Sequence, residues 1–241
     1  SMAAAGITDG DIALTGLSVN RTAGVSIVRY TGTGAATKTI AHGLGVAPKF
    51  VIQKAASDGT YGWNSWHTGL SAGYYISLSS TGAQDNSVSI WPSSPAGTSF
   101  MTTGSATGPA YANITSATHI LYCFAEVAGF SKFGSYVGNG SADGPFVFCG
   151  FRPRFVLFKS TGTGEYWHIG DTARSTYNAV DAALRPNLSN AEALFSTSVE
   201  TWDILSNGFK LRGTGGGNNA SAVTYIFAAF AESPFKTARA R

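Results

Sequence analysis

Two groups of aromatic and polar side chains are where this 241-residue chain could do chemistry. Trp63, Trp66, His67, Tyr74 and Tyr75 lie close together among Gly and Ser, and Tyr166, Trp167 and His168 form a counterpart with Tyr177 beyond. Flat rings of this kind stack on sugar faces, while nearby Asn, Asp and Ser groups fix the sugar's orientation. These residues are the candidate ligand-binding set. Trp66 and Trp167 recur in the two groups, so they also fit one core tryptophan per domain; Trp63, Tyr74 and Tyr75 have no clean counterparts.

Other chemistries find fewer residues. A metal centre needs clustered His, Cys or carboxylates, and His42, His67, His119 and His168 are singletons. The 138–144 loop, with Asn139 and Asp143, lacks the carboxylate density of a strong calcium site. No metal and no cofactor are expected. Glycoside hydrolysis needs two neighbouring carboxylates, and the chain has only 13 acids. His168, Asp171, Arg174 and Asp181 make one compact polar constellation, without a serine placed in a strained elbow. Its expected use is an Arg174–Asp181 ion pair across a short helix. No catalytic residue is assigned, and the chain is expected not to be an enzyme.

The elements that position these residues come in two copies. Tyr30-Thr31-Gly32-Thr33-Gly34-Ala35-Ala36 returns as Tyr136-Val137-Gly138-Asn139-Gly140-Ser141-Ala142, and residues 120–126 return as 226–232, both 106 positions on. Pro48-Lys49-Phe50-Val51 returns as Pro153-Arg154-Phe155-Val156, and Trp66-His67 as Trp167-His168. Self-similarity at a long period decides the architecture before any single residue does. The expected division is a leading segment over 1–24, a first repeat over 25–130, a second over 131–236 and a tail over 237–241.

Short alternating or apolar runs between Gly-rich turns read as strands. They cover 26–30, 37–41, 49–54, 74–78, 87–91, 99–102 and 118–126 in the first repeat. In the second they cover 133–137, 145–148, 154–159, 165–169, 201–204, 209–212 and 224–231. Residues 118–126 are nearly all apolar, the pattern of a central strand covered on both faces. Residues 177–184 carry Tyr177, Val180 and Leu184 at helical spacing and end before Pro186, which predicts a helix of one or two turns. The expected fold is all-β: tandem duplicated β-sandwich, jelly-roll-like domains with a short helix in the second copy. Glu126 and Glu232 close the same strand in each copy, with Lys132 and Lys236 as expected partners.

Composition narrows the class further. Charged residues are 12% and glycine numbers 30, which suits a neutral, hydroxyl-rich all-β surface. The net charge of +3 comes with no basic stripe interleaved with stacking rings, so no nucleic-acid partner is expected. No apolar run is long enough to span a membrane. Cys123 and Cys149 occupy non-matching positions, which predicts free thiols rather than a disulfide framework.

The segment Thr39-Ile40-Ala41-His42-Gly43-Leu44-Gly45-Val46-Ala47-Pro48-Lys49-Phe50-Val51 resembles the strand, HGLG, x-x-P, strand signature of phage tail-fibre and virion structural domains. Residues 124–136 (FAEVAGFSKFGSY), 139–146 and 207–212 resemble a phage-encoded domain family of unassigned function. The resemblance covers about residues 26–236. It implies a virion component: part of a tail fibre or related appendage, assembled in the host cytoplasm, homo-oligomeric and often trimeric, bound to other virion proteins, and contacting a host-surface glycan. Read on its own, the segment ends a strand, turns through a Gly-Leu-Gly corner and restarts after a proline, with His42 hydrogen-bonded locally. A carbohydrate-binding module and a polysaccharide depolymerase are the alternative readings.

Overall fold

The computed structural model describes residues 6–86, 90–104, 111–162, 164–194 and 199–233. The described residues are all-β and form two compact units. Unit 1 takes the chain up to Leu78 together with Gln84–Glu126; unit 2 takes Ser79–Ala83 and everything from Val127 on. Each is a β-sandwich.

Unit 1 contains β1 (Leu14–Asn20), β2 (Val25–Thr31), β3 (Thr39–Ala41), β4 (Phe50–Ala55), β5 (Asn64–His67), β6 (Tyr74–Ser77), β7 (Asp85–Asn86), β8 (Phe100–Thr102) and β9 (Thr118–Phe124). The seven-stranded sheet runs β1-β2-β9-β4-β5-β6-β7, and β3 pairs with β8 as the second layer. Alternation dictates the faces: in β2, Ser26, Val28 and Tyr30 are buried while Ile27, Arg29 and Thr31 are exposed. Val28, Tyr30, Val51, Leu121 and Cys123 from the large sheet share one core with Ile40, Leu44 and Met101, closed by Ile90 and Trp91. The expected strand over 87–91 lies largely outside the described residues.

The leading segment is part of this sandwich. β1 pairs along β2, and Ile12 sits in the core at 2% exposure. The Ile12 N–H donates to the Thr39 carbonyl (3.1 Å), and the Asp11 carboxylate accepts from the Thr39 N–H (2.9 Å) and hydroxyl (2.8 Å). Unit 1 therefore begins ahead of residue 25.

Unit 2 contains β10 (Ser131–Val137), β11 (Phe146–Phe148), β12 (Pro153–Ser160), β13 (His168–Asp171), β14 (Ala182–Ala183), β15 (Ala193–Leu194), β16 (Trp202–Leu205), β17 (Gly208–Leu211) and β18 (Thr224–Ala231). A four-stranded sheet, β10-β18-β12-β13, faces the three-stranded β11-β17-β16, with β14–β15 as a small extra ladder. Tyr136, Val156, Phe158, Phe227 and Ala229 pack on Val147, Trp202, Ile204, Phe209 and Leu211 between the layers. β18 is buried on both faces for most of its length, whereas β9, expected to be covered on both faces, alternates buried with half-buried.

The two units repeat the same contacts. Val25 faces Phe124 in the β2–β9 ladder, and Ser131 faces Phe230 in the β10–β18 ladder. The buried Tyr30 hydroxyl donates to the Ala112 carbonyl (2.6 Å), and the Tyr136 hydroxyl to the Asn218 carbonyl (2.8 Å). Next to them, Asn113 accepts from the Thr33 N–H and donates to the Ala35 carbonyl; Asn219 accepts from the Asn139 N–H and donates to the Ser141 carbonyl. A buried tyrosine hydroxyl or amide must be paired or it costs about 1–3 kcal/mol, so these clamps fix two loops in each unit. They also force the strand to run against the loop: a Cβ on Gly32 would strike the Ile114 carbonyl, and one on Gly138 the Ala220 carbonyl.

The predicted helix over 177–184 is absent. Val180 instead bridges to Trp202 and Ala182–Ala183 pairs with Ala193–Leu194. The apolar spacing of Tyr177, Val180 and Leu184 does not mark one face: Val180 is buried while Tyr177 and Leu184 are exposed.

Candidate functional site

A concavity lies in the connection from β13 to β14. It encloses about 410 Å³ and is lined by Arg174, Ser175, Thr176, Tyr177, Asn178, Ala179 and Asp181. In unit 1 the matching connection, β5 to β6, is shorter. Asp171 starts the turn by accepting from the Ala173 and Arg174 N–H groups (2.9 Å each). Its other oxygen binds the Arg174 guanidinium at 2.6 Å, which also reaches Glu192 at 3.0 Å. Burial pushes the Asp171 carboxyl up, but the hydrogen bonds and charge of Arg174 outweigh it and hold the group below its usual range. The expected Arg174–Asp181 pair does not form, because without the helix Asp171 and Glu192 stand closer; Asp181 accepts instead from the Ser175 hydroxyl at 3.2 Å. Asn178 is pinned at both amide atoms by the Ile204 backbone (3.0 and 2.9 Å). On this fastened loop Tyr177 stands 85% exposed.

The other candidate residues are placed differently. His67 is buried, edge-on to Phe50, with Nδ1 accepting from the Gly69 N–H (2.9 Å). Trp66 is half-buried against the unit 1 core, where Tyr75 joins it. Burial, then Asp85, raises the Tyr75 hydroxyl above its ordinary value. Tyr74 is half-buried on β6. Trp63 is 37% exposed, its ring 6.2 Å from that of Tyr122. In unit 2, Trp167 is buried and donates its backbone N–H to Asn187 (3.1 Å), and Tyr166 lies under the Arg185 guanidinium at 4.3 Å. His168 is fully buried and stacked on Phe158, and burial holds its imidazole down at about 3. Among the candidates, then, Tyr177 is the one fully presented to solvent.

The repeated Trp-His dipeptides are not structural equivalents. His67 faces Phe50, whereas Phe155, which takes Phe50's place beside β18, faces Asp171. His168 holds the position of Asn64. The inward position of Trp66 falls to Gly170, whose missing side chain leaves room for the Trp202 ring from the other layer.

Other expectations resolve as scaffold. The His42 Nε2 lies 3.0 Å from the Gly97 carbonyl and Nδ1 accepts from the Leu44 N–H (3.2 Å), a local role. Cys123 and Cys149 are free and buried. In the 138–144 loop Asn139 donates to the Asp143 carbonyl and Lys210 binds the Asp143 carboxylate at 2.8 Å, which leaves a closed turn. No cluster of His, Cys or acids suited to a metal occurs among the described residues. Glu232 pairs with Arg152 at 2.6 Å, and Lys236 lies outside the described residues.

A buried charged cluster escaped the sequence reading. Glu200 is 8% exposed, with Arg185 at 3.6 Å and the Gly217 N–H bonded to it. Burial raises its carboxyl, Arg185 opposes that, and Glu165 adds to it. Two neighbouring carboxylates are what acid–base chemistry at a glycosidic bond uses. Here, however, the backbone fills the space in front: a Cβ on Gly216 would stand 2.5 Å from Glu165 Oε1, and one on Gly217 would strike Glu200 and His168. The cluster clamps the 213–217 turn. Three successive glycines, which permit such close approach, were its signal in the sequence.

Residues 1–234 match the model of a family described as Domain of unknown function (DUF7483). No curated protein and no solved structure matches the chain.

Proposed function

We propose, for a chain that belongs to the DUF7483 family, that it is a non-enzymatic structural component of a phage particle. It forms part of a tail fibre or related appendage, assembled from several copies of itself with other virion proteins and turned toward a host-surface glycan. The motif resemblance of residues 39–51 and 124–146 supports the virion assignment. The observation that carries the structural role is the recurrence of the Tyr30–Ala112 and Tyr136–Asn218 clamps: the polar groups common to both units hold loops in place. A stiff frame with loops that differ between units suits a particle component that must persist outside the cell. Immunogold labelling of particles from the lysate that encodes the chain tests this. Gold on the particles is the expected result, and recovery of the chain only in the soluble fraction would overturn it. Light scattering of the purified chain reports its assembly size.

A second reading, a carbohydrate-binding module, is favoured by Tyr177 standing exposed over a concavity. A depolymerase would depend on Glu165 and Glu200. The Gly216–Gly217 backbone packed against both argues for a clamp, and an unchanged polysaccharide chain length after incubation with the protein would agree.

A further inference from the structure

We infer that the loop over 174–181 of unit 2 binds one pyranose ring of a neutral glycan, stacked on Tyr177. The inference rests on the host-contact part of the reading above and fails separately from it, since labelling of particles does not depend on sugar binding.

Three observations converge. The concavity of about 410 Å³ falls within the range of small-molecule sites. Its walls are already fixed: Asp171, Ser175, Asn178 and Val180 each tie the loop to backbone or to a charged partner. A fastened loop loses little entropy when a ligand arrives, so weak stacking converts into binding. Finally, an aromatic ring 85% exposed on such a loop presents a face that a pyranose's C–H groups can cover.

The local charges select the sugar. Arg174, the lining cation, is engaged by Asp171 and Glu192 and by the Ile169 carbonyl. Asp181 adds a third carboxylate. Among the lining residues Arg174 and Asp181 carry opposite charges, and the nearby Arg152, which shares the Ile204 carbonyl with Asn178, is paired with Glu232. Each guanidinium is already met by a carboxylate, which favours a neutral sugar over uronic and sialic acids. Ser175 uses only Oδ1 of Asp181, so Oδ2 keeps acceptor capacity for a sugar hydroxyl. The Thr176 and Tyr177 hydroxyls supply further donors and acceptors.

Saturation-transfer NMR on the full chain, with methyl glycosides of glucose, galactose and N-acetylglucosamine and with glucuronic acid, tests this. At least one neutral glycoside is expected to show transfer to its ring protons. Tyr177→Ala should weaken that binding at least tenfold, Tyr177→Phe should retain it, and Asp181→Asn should weaken it severalfold. The thermal midpoint of Tyr177→Ala should match the parent, because the ring supports nothing beneath it. Trp63→Ala should leave the transfer unchanged. Absence of transfer to every neutral probe overturns the proposal. So does transfer that survives Tyr177→Ala, or stronger binding of glucuronic acid.

Discussion

Gly134 faces Phe227 across the β10–β18 ladder, and a Cβ on it would stand 3.0 Å from the Phe227 ring. The same two positions of unit 1 hold Val28 and Leu121, also directly paired. One unit divides the core volume evenly between two strands; the other gives nearly all of it to a single ring. Close-packed interiors tolerate such exchanges only when the sum is kept. Gly134→Val is therefore expected to destabilise unit 2 by about 1–3 kcal/mol through overpacking. Phe227→Leu in the same chain should recover most of it, because the pair then matches Val28–Leu121. A double-mutant cycle by urea unfolding reads the coupling, and purely additive effects would contradict the shared-volume account.

Asn219 bonds to the Asn139 side chain and to the Ser141 and Gly213 carbonyls; Asn113 bonds to Thr33 and the Ala35 carbonyl. Asn219→Ala should cost about 2–3 kcal/mol, and Asn113→Ala less, since it strands fewer buried partners. Amide exchange should quicken at Gly138 and Gly140 in the first variant and at Gly32 and Gly34 in the second. Exchange that rises equally in both units would mean the clamps are not local.

Acid should weaken the fold through its buried histidines. Burial holds His119 at about 4 and His168 at about 3, against an ordinary 6.5. Below pH 6.5 the unfolded chain gains protons that the folded chain refuses. The stabilisation is thus complete above pH 6.5 and drains away as pH falls toward the folded values, by up to about 1.4 kcal/mol per pH unit for each histidine. Glu200, raised by burial, works in the opposite sense and favours the folded state at low pH. His168→Asn installs the residue that unit 1 carries at this position. It should flatten the stability profile between pH 6.5 and 4, and an unchanged slope would remove His168 from the explanation.

Removing Arg185 leaves Glu200 buried without its cation and uncovers Tyr166. Arg185→Ala is expected to cost about 3 kcal/mol, the low end for breaking a buried pair, because both side chains keep some exposure. Arg152→Ala breaks a shorter but more exposed pair with Glu232 and should stay within about 1 kcal/mol. Equal losses in thermal melts of the two variants would show that burial is not what separates them.

The strands were legible where a long apolar or alternating run meets a clear turn, whereas the short β5 over Asn64–His67 was not expected as a strand and β13 lies three residues beyond its expected start. β18 falls on Thr224–Ala231 as its apolar run predicts, and β2 and β12 follow from alternation within a residue or so. The segment over 177–184 was not legible, because its conformation is set by Trp202 and by Ala193–Leu194, partners distant in sequence. Register between strands was likewise hidden. Matching Trp66-His67 to Trp167-His168 looks compelling as letters, yet the connections ahead of them differ in length and place the two dipeptides at different rungs. For the site, Tyr177 was named from composition, while its exposure depends on Asn178 gripping Ile204, a contact no local pattern announces.

The opening segment joins both layers of unit 1, with Asp11 and Ile12 fastened to β3 and the following strand zipped along β2. Tension arriving from the N-terminal side would meet the Thr39 fastening first and the longer ladder only after that yields. Under load these contacts are expected to act as a mechanical fuse in series with a stronger anchor. Single-molecule pulling from that end should record a small early rupture, and Asp11→Ala should erase it while leaving the main event in place.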